Sequence, residues 1–157
     1  MNSQTSISTA PSWKKTASKA FWLIIGLFVV YRLLMLAYMN VRDDDPLLSG
    51  WQDYNAAAFE NLLADGKPVM VEVYAPWCPT CLAQHKAFEA LESEGKRPNL
   101  ATIRVDFDRD VDFRKTYNIN YTGTILLFEG GKLTAVQGGL TSPEKLEGFL
   151  AGKGYMN

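Results

Sequence analysis

From Phe21 to Met39 the chain is apolar at every position except Arg32. This run decides how the rest can be organised. At 1.5 Å per residue a helix of this length crosses a hydrocarbon core of roughly 30 Å. A buried core helix would normally carry a polar face, and a cleavable leader would need a shorter basic region and a small-residue cleavage site, which Ala37-Tyr38-Met39 does not supply. The expectation is one transmembrane anchor over 21–39, a tail over 1–20, a linker over 40–50 and a folded domain over 51–157. Arg32 opposes this reading, because a mid-membrane arginine costs about 2.5 to 3.5 kcal/mol, but its position past the midpoint lets it snorkel to an interface.

Charge orients the anchor. Lys14, Lys15 and Lys19 precede the run with no acidic neighbour, whereas Arg42 is followed by Asp43, Asp44 and Asp45, a solvated spacer. The positive-inside bias puts the N-terminus in the cytoplasm, so the domain faces the periplasm of a bacterial inner membrane or an equivalent lumen. With a net charge of −1 and scattered basic residues, the chain lacks an electrostatic footprint for nucleic acid.

Within the domain, Tyr54, Ala58 and Leu62, with Phe59 and Leu63, form an apolar helical stripe over 53–64 that Gly66-Lys67-Pro68 ends. Val69 to Tyr74 is β-branched and almost wholly apolar, as for a central strand covered on both faces. Pro76 breaks it, and Pro79 suits the first turn of a helix reaching about Ser93. Alternation from Ala101 to Phe107 predicts a strand with unlike faces, and a short helix follows over 109–117. Gly130-Gly131 joins 124–129 to 132–137 as a tight antiparallel hairpin, and Thr141-Ser142-Pro143-Glu144 caps a last helix. The pattern is α/β: a mixed sheet with helices on both faces.

The chain has two cysteines, Cys78 and Cys81, so the pair works together or not at all. Disulfide exchange needs one thiolate to attack and a second thiol to resolve the mixed disulfide. At a helix start, free N–H groups and partial positive charge favour the thiolate at Cys78, while Cys81, one turn further in and more buried, keeps its proton. The rival, half of a zinc site, lacks ligands, since the sequence offers no second cysteine pair and one histidine. That histidine, His85, is read as ordinary surface one turn further along the helix. Glu72 is the sole carboxyl in the buried strand, and burial should raise its pKa toward the range useful for exchanging a proton with Cys81. The competing reading is an acid that simply reaches water at the strand end.

The stretch Val71-Glu72-Val73-Tyr74-Ala75-Pro76-Trp77-Cys78-Pro79-Thr80-Cys81 resembles the active-site segment of the thioredoxin family. Tyr117-Asn118-Ile119 and Thr124 to Lys132 resemble its second half. With the anchor, the chain is similar to membrane-tethered periplasmic thioredoxin-like proteins. The resemblance implies a thioredoxin-like fold and a protein disulfide oxidoreductase, inclined to reduction, with a Cys78–Cys81 disulfide in place of any cofactor. It implies exported protein disulfides as substrates, a membrane electron-donor protein as partner, and lipid contact through the anchor. Trp77, Pro79, Thr80, Thr122 and Gly123 are the expected substrate-binding residues, with Cys78, Cys81 and Glu72 catalytic.

Two departures stand out. The family commonly has an aspartate where Glu72 lies. It also has a cis-proline where Tyr121-Thr122-Gly123-Thr124 places Gly123, and a trans Thr122–Gly123 bond is expected because a cis bond without proline costs about 3 to 4 kcal/mol. Altered substrate docking follows, together with the expectation that an exposed cysteine pair binds zinc or an iron-sulfur cluster between two chains. A third reading is a tethered binding module for cofactor or cytochrome assembly, without turnover.

Overall fold

The computed structural model describes residues 13–43 and 47–156. The tail before residue 13 and the Asp44–Asp45 part of the expected spacer lie outside the described residues. Two compact units divide near residue 41. The first is helix α1, Trp13–Asp43, which continues past the apolar run at both ends. Its stretch Lys19–Tyr38 has a mean hydropathy of 2.2 and is long and apolar enough to cross a membrane. Phe21, Trp22, Leu27, Phe28 and Leu34 are all exposed along it.

The second unit runs β1 (Trp51–Asp53), α2 (Ala56–Ala64), β2 (Val69–Tyr74), α3 (Pro79–Ser93), β3 (Ala101–Asp106), α4 (Val111–Thr116), β4 (Thr124–Glu129), β5 (Lys132–Gly138) and α5 (Pro143–Ala151). The sheet order is β1-β3-β2-β4-β5. β1, β3 and β2 are parallel, and β4 and β5 are each antiparallel to the strand before them in that order. β1 corrects the sequence expectation, which began the domain with a helix at Asp53: three residues show no alternation to detect, and Asn55, whose Oδ1 accepts the Ala58 N–H at 3.0 Å, starts α2 later.

All six residues of β2 are buried, as its apolar pattern required. Val69, Val71 and Val73 face a layer holding Phe59 of α2, Phe113 of α4 and Phe128 of β4, where aromatic rings meet edge to face. Met70 faces the opposite layer, with Ala87, Phe88 and Leu91 of α3 and Leu146 and Leu150 of α5. The sheet is therefore covered by α2 and α4 on one side and by α3 and α5 on the other. Gly130 and Gly131 have φ of 54° and 75°, the left-handed pair that a two-residue hairpin needs.

Candidate active site

β2 ends at Tyr74, and the chain turns through Ala75-Pro76-Trp77 so that the Cys78 N–H reaches the Ala75 carbonyl at 3.1 Å. Cys78 is the N-cap of α3, in extended backbone, with Pro79 as first helical residue. Its sulfur takes the place of a capping oxygen: Sγ accepts the Cys81 N–H at 3.1 Å. The Thr122 hydroxyl donates to the same sulfur at 3.1 Å from the loop before β4.

These donors set the acidity. Burial, the largest influence, pushes the Cys78 thiol up. Hydrogen bonds from the Cys81 thiol, the Thr122 hydroxyl and the backbone N–H groups of Cys81 and Thr80 outweigh it, and the net shift is below the ordinary thiol value. Cys81 moves the other way. Burial, the hydrogen bond with Cys78 and the charges of Cys78 and Glu72 raise it well above the ordinary value. Its thiol lies 3.9 Å from the Val73 carbonyl, a weak contact suited to a protonated sulfur. The two sulfurs are thus shifted in opposite directions, Cys78 down and Cys81 up.

Glu72, 1% exposed, sits on the sheet face that α3 covers and is pushed up to about 8, mainly by burial. Arg104, its register partner on β3, pulls the other way. Arg104 is held beside Asp53 of β1, with Nε and a terminal nitrogen each 3.2 Å from Oδ1, and lies over the Tyr74 ring at 5.1 Å. The carboxyl is therefore deep within the fold, against the alternative that it reaches water at the strand end.

The Thr122-Gly123 loop comes close to the start of α3. The Gly123 N–H donates to the Val73 carbonyl at 2.8 Å, and the backbone has φ 64°. A Cβ at Gly123 would lie 2.8 Å from Thr80 Cγ2 and 3.2 Å from Thr80 Cβ. Only glycine fits there without displacement, and proline is excluded twice, by its fixed φ near −65° and by its missing N–H. The loop is trans, as no cis peptide occurs among the described residues.

Trp77 is 37% exposed, with Pro79 and Thr80 also exposed around the buried sulfurs. Its Nε1–H donates to Asp108 Oδ2 at 2.7 Å, and its ring meets Phe107 edge to face. Asp106 Oδ1 braces that loop by accepting the N–H groups of Asp108 and Arg109 at 2.8 and 2.9 Å. Asp108 carries no local signal for this role, since its partner is distant in sequence. Arg104 did carry one, as the lone cation of an alternating strand.

Cys78 and Cys81 are 3% and 0% exposed, so the pair is enclosed rather than exposed as expected. One further expectation needs correction. His85 is not open surface, because its side chain is 13% exposed and lies 3.6 Å from Glu89, where the following helical turn brings the two together.

Residues 51–152 match the family model described as thioredoxin. A thioredoxin domain-containing protein of Theileria parva is 29% identical over 136 residues, covering 83% of this chain and 61% of that protein. The thiol:disulfide interchange protein DsbE of Escherichia coli is 29% identical over 127 residues, covering 69% of this chain and 65% of that one. The chain thus spans less than two thirds of the length of either relative. Among solved structures, Trxlp from Edwardsiella tarda is similar with a TM-score of 0.57 and 31% identity, over 64% of this chain and 97% of that one. A family match over most of the chain, joined to the sheet order and the paired cysteines at a helix start, makes this chain a member of the thioredoxin family.

Proposed function

We propose that the protein is a membrane-tethered dithiol-disulfide oxidoreductase that reduces protein disulfides on the far side of a bacterial inner membrane, with its N-terminus in the cytoplasm. The observation that carries this reading is the double donation to Cys78 Sγ, from the Cys81 N–H and the Thr122 hydroxyl, beside a second thiol held protonated. Cys78 attacks a substrate disulfide, one substrate sulfur leaves as a thiol, and a Cys78–substrate mixed disulfide forms. Cys81 then gives up its proton and attacks Cys78, which releases the second substrate thiol and leaves a Cys78–Cys81 disulfide. Two electrons pass to the substrate, and a membrane electron-donor protein restores the dithiol.

Glu72 is the proposed acceptor for the Cys81 proton, from inside the layer beneath α3. Because burial pushes it up to about 8, ring closure speeds up as pH rises through that value and the carboxylate form appears. Trp77, Pro79, Thr80, Thr122 and Gly123 form the proposed docking surface around the sulfur. Trp77 offers apolar area whose position Asp108 fixes. The anchor rests on the apolar span Lys19–Tyr38 and on the charge asymmetry about it.

Insulin reduction with the wild type, Cys78→Ser and Cys81→Ser tests the chemistry. Loss of turnover in both variants, with a trapped substrate adduct only in Cys81→Ser, is expected. Full activity in both would reject it. Equilibration against glutathione tests the direction: a potential near roughly −270 mV fits a reductant, and one near about −120 mV an oxidant.

A further inference from the structure

Gln84 is fully buried, and neither its Nε2 nor its Oε1 meets a hydrogen-bond partner among the described residues. Glu72 Oε1 is in the same condition. Buried amides and carboxyls are nearly always paired, with protein or with an internal water, so such a combination calls for a reason. Position supplies one. Gln84 follows Cys81 by three residues and lies on the buried face of α3 with Cys81, Ala87, Phe88 and Leu91. Glu72 stands directly opposite Ile125 in the β2–β4 ladder, and Ile125 packs among Ala87, Phe88 and Leu91. Both polar side chains therefore project into the layer between α3 and the sheet, next to Cys81.

We propose that Gln84 is a positioning residue for proton transfer, holding with Glu72 an internal water against Cys81. This inference rests on the reading of Glu72 as proton acceptor. An internal water needs two to four polar partners, and the two side chains and the Cys81 thiol supply that number in an otherwise apolar layer. The Gln84 amide suits this place because it donates through Nε2 and accepts through Oε1 without adding a second charge beside the carboxylate. In the resolving step the Cys81 S–H proton passes to the water while a water proton passes to the Glu72 carboxylate. The Cys81 thiolate then attacks the Cys78 sulfur, the Cys78–substrate S–S bond breaks, and the departing substrate thiolate carries the electron pair. Gln84 neither gains nor loses a proton overall.

The test uses the full-length reduced protein in detergent and an aromatic disulfide whose thiolate product absorbs in the visible. The first thiolate released reports attack by Cys78, and the second reports ring closure by Cys81. Gln84→Leu and the linear Gln84→Met are compared with Glu72→Gln and with each double variant. The expected result is an unchanged first phase, a second phase slowed about tenfold or more in every single variant, and doubles no slower than the slower single. A solvent isotope effect on the wild-type second phase is expected to fall in Gln84→Leu and Gln84→Met, which a merely structural change would not produce. A wild-type second phase in both Gln84 variants, with Glu72→Gln slow, overturns the role of Gln84 and leaves that of Glu72 standing. If Glu72→Gln is also unaffected, both readings fail. Effects that multiply in the doubles, or slowing with an intact isotope effect, reject a shared water.

Discussion

Replacing Glu72 by glutamine should change the pH dependence of folding in a way that burial fixes in advance. Below about pH 4.5 the carboxyl is protonated in the folded and the unfolded chain, and it contributes nothing to the dependence. Between 4.5 and about 8 the unfolded chain loses this proton while the folded one keeps it, which favours unfolding by about 1.4 kcal/mol per pH unit. Above 8 both states are ionised, and the accumulated penalty of about 5 kcal/mol stays constant. Glutamine carries no proton to lose, so the stability gap between Glu72→Gln and wild type should widen in favour of the variant by that amount between about pH 4 and pH 9. Urea unfolding of the unit from Arg42 onward, on a Cys78→Ser, Cys81→Ser background so that no thiol titrates, measures it. A gap that moves by less than about 1 kcal/mol would mean that the carboxyl reaches bulk water in the folded protein, and the argument for Glu72 as a buried proton acceptor would fall.

Thr122→Val keeps the shape of the loop and removes the hydroxyl donor to Cys78 Sγ. The pH midpoint of Cys78 alkylation should rise by up to about one unit, the worth of one hydrogen bond, and an unmoved midpoint would remove Thr122 from the account. Gly123→Ala should destabilise the fold by about 1 to 3 kcal/mol in thermal unfolding, with partial recovery when Thr80→Ser deletes the methyl group in its way. Gly123→Pro should be worse than Gly123→Ala, because it also loses the N–H bond to Val73; wild-type stability in that variant would contradict the loop geometry. Trp77→Phe, which lacks the donor to Asp108, should slow reduction of a protein substrate more than that of a small aromatic disulfide, and equal slowing of both would deny Trp77 a docking role.

Much of the domain is legible from local pattern. Val69 to Tyr74 reads as a doubly covered strand because its β-branched residues leave no polar face, and Pro79 fixes where α3 begins. Gly130-Gly131 announces a hairpin because few other residues tolerate its φ values. β1 is not legible, because its three residues are a strand only through pairing with β3. The cysteine pair was readable from spacing, but the Thr122 hydroxyl on Cys78, the Asp108 bond to Trp77 and the placing of Gln84 beside Cys81 are products of tertiary packing. The partial burial of His85 is hidden for the same reason, since helical spacing places it on a face and does not tell what covers that face.

The division of labour between the two sulfurs is tested most directly by differential alkylation of the reduced protein across pH, read by mass spectrometry at each cysteine. Cys78 should react with a midpoint below that of an ordinary thiol and Cys81 should stay unmodified well above it, and stoichiometric oxidant should then close a bridge between them. Equal midpoints, or earlier modification of Cys81, would contradict the account.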